Sequence, residues 1–310
     1  MSDSIKERRA ARRNKSKNIK SQDDIYIEMG DNFQEEESDD GVAIVETVNT
    51  NERRARALMM VDYDYQDMAV QYSKENVSQQ LGNYRQAMDF LAHITLPNKD
   101  KTVDRLKKII YDFPNIDISS FANKDNAKLY TWMLQQMSHT FGEKYLGSIY
   151  MLGGGMGLFA SMILDSRLRF ENIRSFDING ACQFLADELM TDELLADWKF
   201  KATTQDLFNV GYDTHTFTSR LQNGSLSTPF EEIPGTIINF NVSHLKNSLD
   251  WYNMIPDMRR VIIVGEAGKH VPYPFASSQM FNVRFPMSFE HYTGVLTMKD
   301  KQYYMKIGHK

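Results

Sequence analysis

Cysteine is almost missing from this 310-residue sequence. Cys182 is the only one, which excludes an intrachain disulfide framework and any cysteine-rich zinc site. Long apolar runs are missing as well: stretches such as Val261 to Val264 fall far short of the roughly 20 residues of a membrane-spanning helix, so no membrane partner is expected. The charged N-terminus lacks the apolar segment of a secretory signal. Net basic charge is absent, and −5 at pH 7 argues against a surface that binds nucleic acid all over. No Gly-Lys-Ser/Thr follows a glycine loop, and no Gly-x-Ser-x-Gly elbow occurs. His215, His244, His270 and His291 show no two-histidine helical spacing, so no metal is expected. What remains is the composition of a soluble, cytoplasmic globular protein, long enough for one large domain or two modest ones.

Charge is unevenly spread at the start. Residues 1–20 hold eight basic side chains against Asp3 and Glu7, and residues 21–40 hold nine acidic ones and no basic one. Neither block has the apolar content to offset the entropy of ordering, so residues 1–45 are expected to form a disordered charged arm. The basic block suits a nucleic-acid contact that the acidic block competes for, or a solvating tail that folds back on itself.

Residues 46–145 carry helical spacing. Ala55, Leu58, Met59, Val61 and Tyr63 open it, and Met88, Leu91, Ala92 and Ile94 follow until Pro97. Val103, Leu106, Ile109, Ile110 and Phe113 make a second amphipathic stretch, closed by Pro114. A third runs from Asn126 to Phe141. These methionine and aromatic stripes suit core packing better than a cofactor box.

From Gly147 the pattern changes to alternating strands and helices. Ser148 to Leu152 reads as a strand, Gly153-Gly-Gly-Met-Gly157 as a tight turn, and Leu158 to Leu164 as a helix. Glycines 153, 155 and 157 allow such a turn and let backbone approach a ligand closely. Further strands are expected at Asn172–Phe176, Trp198–Ala202, Gly235–Phe240 and Arg260–Val264. They end in Asp177, in the Thr203–Asp206 segment, in Asn241, Ser243 and His244, and in Gly265 and Glu266 respectively, with Glu266 left to solvent. Polar groups at the C-terminal ends of parallel strands are where open α/β sheets bind ligands. His291–Met298 and Gln302–Ile307, joined by Lys299–Lys301, read as a closing hairpin, which adds an antiparallel strand.

These features resemble the class I S-adenosylmethionine-dependent methyltransferases. The resemblance is greatest to small methyltransferase-like proteins of tailed bacteriophages and covers Ser148 to Gly308. It implies a Rossmann-like class I methyltransferase α/β sheet with a C-terminal antiparallel hairpin over residues 146–310, preceded by a helical region. It implies S-adenosylmethionine as cofactor, with Gly153, Gly155 and Gly157 as the first motif, Asp177 at the ribose and Asp206 at the adenine. Asn239 to His244 would lie beside the reacting methyl group. There Asn241 would hold a substrate polar group or make an Asx-turn, and His244 would act as base or cap the next helix. Asp177 and Asp206 keep structural alternatives too, a helix N-cap and a surface turn. Met151 stands where the class carries an acidic residue, and Asn-Phe-Asn-Val-Ser-His lacks the Asp/Asn-Pro-Pro-aromatic pattern of base amino methylation. A similar layout occurs in nicotianamine synthases, which transfer the aminobutyrate arm of the same cofactor. The alternative to an enzyme is a binding or structural protein that keeps the fold. Substrate and oligomeric state stay open.

Overall fold

The computed structural model describes residues 43–46, 68–97, 99–195, 198–220, 228–268 and 271–310. The charged arm through residue 42, and the helical spacing around Ala55 to Tyr63, lie outside the described residues.

Each parallel strand alternates its side chains between two separate cores, because successive residues of a strand face opposite ways. In β2 (Ser148–Leu152), Ile149 and Met151 enter one core and Tyr150 and Leu152 the other. The same division holds in β7 (Pro234–Asn239) for Ile238 and Ile237, and in β8 (Arg260–Ala267) for Ile262 and Val264 against Val261 and Ile263. With both faces buried, these runs are nearly all apolar, as parallel strands require.

β3 (Ile173–Asp177), β4 (Phe200–Thr204), β9 (Phe289–Thr297) and β10 (Gln302–His309) complete a seven-stranded sheet in the order β4-β3-β2-β7-β8-β10-β9. The pairs from β4 to β8 are parallel; β10 runs antiparallel to both β8 and β9. This is the Rossmann-like sheet of the class I methyltransferases with its C-terminal antiparallel hairpin, as expected. Its order reverses between β2 and β7, the switch point where open α/β sheets leave a crevice at their C-terminal edge.

One face is covered by α1 (Met68–His93), α2 (Asp100–Asp112), α3 (Lys124–Phe141), α4 (Leu158–Leu164) and α5 (Gly180–Leu189), with a short α6 (Thr191–Leu195) following. The expected helical region therefore shares a core with the sheet. In α2 the apolar stripe of Leu106, Ile109 and Ile110 is wholly buried, and Asn123 caps α3 by accepting from Asn126 N–H. A buried polar row fixes α2 to α4: Thr102 Oγ1 donates to Asp165 at 2.7 Å, and Arg105 bridges Asp165 and Glu193 at 3.1 and 2.5 Å.

The opposite face is covered by α7 (Ser248–Met254), α8 (Ser278–Arg284) and a small second sheet. That sheet comprises β1 (Ala43–Glu46), β5 (His215–Arg220) and β6 (Phe230–Glu232), in the order β1-β5-β6. None of β1, β5, β6 or α8 was expected from the sequence, and α7 was expected only as an unbounded helix after His244. Glu232 of β6 is tied to β3 by Arg174, whose Nη2 lies 2.8 Å from its carboxylate, and by Asn172.

Most strand ends shift by one to three residues from expectation, β8 running on to Ala267 and β9 starting at Phe289, and one shift has a clear cause. The third parallel strand begins at Phe200, not Trp198, because Trp198 has φ of +58°, which no strand residue adopts. Its carbonyl instead accepts from Arg174.

The parallel edge strand β4 would expose unpaired N–H groups. Two α5 side chains one helical turn apart cover it: Asp187 accepts from Ala202 N–H at 3.0 Å and Gln183 from Thr204 N–H at 2.6 Å.

Candidate functional site

The glycine turn leaves β2 at the switch point. Gly153 donates to Phe176 O at 2.8 Å, which joins the turn to β3. Gly153, Gly155 and Gly157 have φ of +67°, +54° and +83°, so the turn needs left-handed backbone at all three expected positions. Gly154, which carried no expectation, is constrained by space: a Cβ there would lie 2.0 Å from Ser175 Oγ. At Gly153 it would meet Asn241 Nδ2 at 2.7 Å, and at Gly155 the Phe121 ring at 3.0 Å. The crowding neighbours are thus the chain's own side chains, and the glycines alone do not demand a ligand. Gly154→Ala should destabilise the protein by about 1–3 kcal/mol, the usual cost of overpacking. Adding Ser175→Ala should recover part of this in urea unfolding, because it removes the clashing hydroxyl.

Asp177 ends β3 beside the turn. Its Oδ2 accepts from Gly155 N–H at 3.0 Å and its Oδ1 from Asn179 N–H at 3.0 Å. An ionised carboxylate has about four lone-pair sites, so two donors still leave room for hydroxyls. Asn179, not Asp177, makes the side-chain N-cap of α5. Cys182, one turn into α5, is buried, and burial followed by the Asp177 charge pushes its thiol up to about 12. It behaves as a small apolar residue, inert as a nucleophile.

The segment after β7 meets the turn from the other side of the switch point. Asn241 donates from Nδ2 to Gly153 O at 3.0 Å, and its own N–H bonds Asn239 Oδ1 at 3.0 Å. The buried Asn239 has a second polar atom, Nδ2, with no partner. A buried unpaired donor costs roughly 1–3 kcal/mol. This donor at the C-terminal edge therefore fits a site built for an acceptor. The sequence had marked it only as the first residue of the Asn239–His244 segment, with no role of its own.

His244 closes a 3-10 turn, Val242–His244, and is exposed. Ser243 clamps this segment to β8: its Oγ donates to Glu266 O at 3.1 Å and accepts from Glu266 N–H at 2.6 Å. Glu266 is half-buried within β8, with Tyr303 donating to its side chain, and so is not the solvent-facing loop residue expected. Asp206 is exposed and accepts from Phe208 N–H at 2.9 Å, capping a 3-10 turn after β4. Met151 is fully buried among the helices.

The structure thus brings Gly153, Gly155, Asp177 and Asn241 into one hydrogen-bonded set. Asp206 and His244 hang on separate turns beyond it. For S-adenosylmethionine, the spare lone pairs of Asp177 fit ribose hydroxyls and the Asn239 amide offers an unused donor. At position 151 there is no carboxylate for the methionine end. Among the described residues no group of three metal-ligating side chains occurs, and no helix is long and apolar enough to cross a membrane.

No protein-family model and no curated protein matches this chain. Solved structures that resemble it include the MccD protein, at 11% identity and TM-score 0.43, covering 58% of this chain and 96% of that one. Magnesium protoporphyrin IX methyltransferase from Synechocystis PCC 6803, with S-adenosylmethionine bound, matches at 14% identity and TM-score 0.37, covering 68% and 92%. The [4+2]-cyclase SpnF matches at 8% identity and TM-score 0.40, covering 60% and 82%. At such scores these likenesses carry no argument about activity. The fold rests on the strand order itself.

Proposed function

We propose that this chain binds S-adenosylmethionine over the Gly153–Gly157 turn and transfers its methyl group to an acceptor lying against Asn241 and His244. The observation that supports this best is convergence. The glycine turn, Asp177 and the Asn239–Asn241 segment come from three strands to the one switch point of the sheet.

In this proposal Asp177 accepts the ribose hydroxyls and Asp206 stands at the adenine. The cofactor supplies an already activated methyl group, so the protein's work is alignment and exclusion of water. Asn241, with Nδ2 committed to Gly153 O, has its Oδ1 available to accept from a substrate N–H or O–H. His244 is the base for an acceptor that must lose its proton early. A phage-encoded origin, a place in the host cytoplasm and a nucleic-acid contact through the basic arm belong to the same proposal and rest on the sequence alone.

Isothermal calorimetry with S-adenosylmethionine and S-adenosylhomocysteine tests it. Asp177→Ala is expected to weaken binding about tenfold to a hundredfold, since a hydrogen bond to a charged group contributes about 1.5–3 kcal/mol. Unchanged affinity would remove Asp177 from the ribose. Product analysis separates methyl transfer, which leaves S-adenosylhomocysteine, from aminobutyrate transfer, which leaves methylthioadenosine.

A second proposal is a binding or structural protein that keeps the fold without catalysis. It is favoured by the buried Met151 and by the bonds that already engage Asp177 and Asn241 with the turn. Absence of heat with either ligand, on folded protein, would select it.

A further inference from the structure

At the N-terminal edge of the sheet, opposite the glycine turn, four basic side chains gather, and among the described residues none of them is ion-paired with a carboxylate. Arg260 opens β8. It is the register partner of His309 near the end of β10, which in turn pairs with Phe289 at the start of β9. His291, left without a register partner at a bulge in β9, packs its ring against Phe289. The two imidazoles sit with ring centroids 5.1 Å apart, walled by Phe289 at 4.6 Å and Phe141 at 6.2 Å from His291. The Arg260 guanidinium lies over the Phe141 ring, 5.1 Å from its centroid. Lys144, exposed in the segment between α3 and β2, is near enough to act electrostatically on both imidazoles.

Arg260 is half-buried, and the acceptors it reaches are neutral: Tyr145 O at 3.3 Å and Thr236 Oγ1 at 3.0 Å. Its Nε is buried and has no partner. Glu290, the neighbour of His291, points to the other face of β9, where Lys306 holds it at 2.9 Å. Burial, then Lys144 and Arg260, hold His291 below the usual imidazole range; burial, then His291, Arg260 and Lys144, do the same for His309. Like charges gathered in a partly desolvated place repel unless a counter-charge joins them. Two imidazoles alone could suit a divalent metal, but Arg260 and Lys144 oppose a cation there.

We propose that Lys144, Arg260, His291 and His309 form an oxyanion site that takes a phosphate group. The arginine donors suit the oxygens of a small tetrahedral anion. Because a bound dianion favours charged imidazoles, binding tightens as the pH falls through the histidine range.

Full-length protein labelled with 13C-histidine tests this by NMR, with sulfate as a probe that stays dianionic across the range. The two resonances are assigned from His291→Asn and His309→Asn. Millimolar sulfate should move both resonances, more strongly near pH 5.5 than near pH 8 (about one unit below and one and a half above the usual imidazole value). Sodium chloride at equal ionic strength should not. Arg260→Met should weaken sulfate by at least about tenfold, the loss expected of a charge-assisted contact. Lys144→Ala, at an exposed position, should weaken it severalfold and serves if Arg260→Met does not fold. Inorganic phosphate and a short 5′-phosphorylated single-stranded oligonucleotide then distinguish free phosphate from a nucleic-acid backbone, and movement of the same resonances by either supports the site. Resonances that ignore sulfate, or that respond equally in the Lys144→Ala and Arg260→Met proteins, would overturn it. So would a response to zinc in its place.

Discussion

Asp187→Ala is expected to be the most damaging single substitution outside the hydrophobic cores. Asp187 is 1% exposed and Lys201 is fully buried, with Nζ 2.5 Å from Oδ2. Removing the carboxylate deprives a buried ammonium of its countercharge and the edge strand of the acceptor for Ala202 N–H. Breaking a buried pair from one side costs about 3–5 kcal/mol, a large part of a domain's stability of about 5–15 kcal/mol. Urea unfolding should therefore show a sharply lower midpoint, or no folded baseline. Asp187→Leu combined with Lys201→Met should be clearly more stable than Asp187→Ala, because an apolar pair leaves no charge to desolvate. If the double variant is no better than the single one, the strand-edge bond to Ala202 carries the loss and the ion pair does not.

The same pair shows what was legible and what was not. A lysine in β4 and an aspartate in α5 look like surface residues, and only the crossover that lays α5 along the sheet edge brings them together. The strand–glycine turn–helix unit and Asp177 were legible because their signals are local: an apolar run, a turn only glycine can make, and an acidic residue at a strand end. The closing hairpin was legible from its alternation. β5 and β6 were not. Their described apolar contributions to the core are chiefly Phe217 and Phe230, too few to set a period of two, and the pairing partner Ala43–Glu46 lies far away in sequence. α7 and α8 span seven residues each and, unlike the equally short α4, no strand and glycine turn lead into them to mark where they start. At the site, Phe121 and Gly154 were missed because their roles are set by contacts between segments. Phe121 comes from the turn between α2 and α3, and Ser175, which constrains Gly154, from the next strand.

His215 should make the protein lose stability in mildly acidic solution. It is 2% exposed, and its ring is packed edge-on against Phe217 at 4.5 Å and Phe176 at 5.4 Å. Nδ1 accepts from Gly211 N–H at 3.0 Å, which assigns the proton of the neutral ring to Nε2. Nε2 has no partner, so a second proton would place a full charge among aromatic rings. Burial accordingly lowers its pKa from 6.5 to about 4. Above pH 6.5 both folded and unfolded chains hold His215 neutral and the full stability is present. Between 6.5 and about 4 the unfolded chain binds a proton that the folded chain refuses, so stability falls as pH falls, and the loss is complete below the folded value. The difference corresponds to about 3 kcal/mol. His291 and His309, also lowered, act in the same window but are partly exposed and contribute less. Glu290, lowered first by its hydrogen bond from Lys306, acts below 4.5. Urea unfolding at a series of pH values should therefore show a steep decline below pH 6.5. His215→Phe should start less stable at neutral pH, because Gly211 N–H loses its acceptor, yet decline much less across that window. Equal slopes in the two proteins would mean that His215 accepts its proton at Nδ1 without unfolding, through a local opening that releases the Gly211 N–H and hydrates the ring.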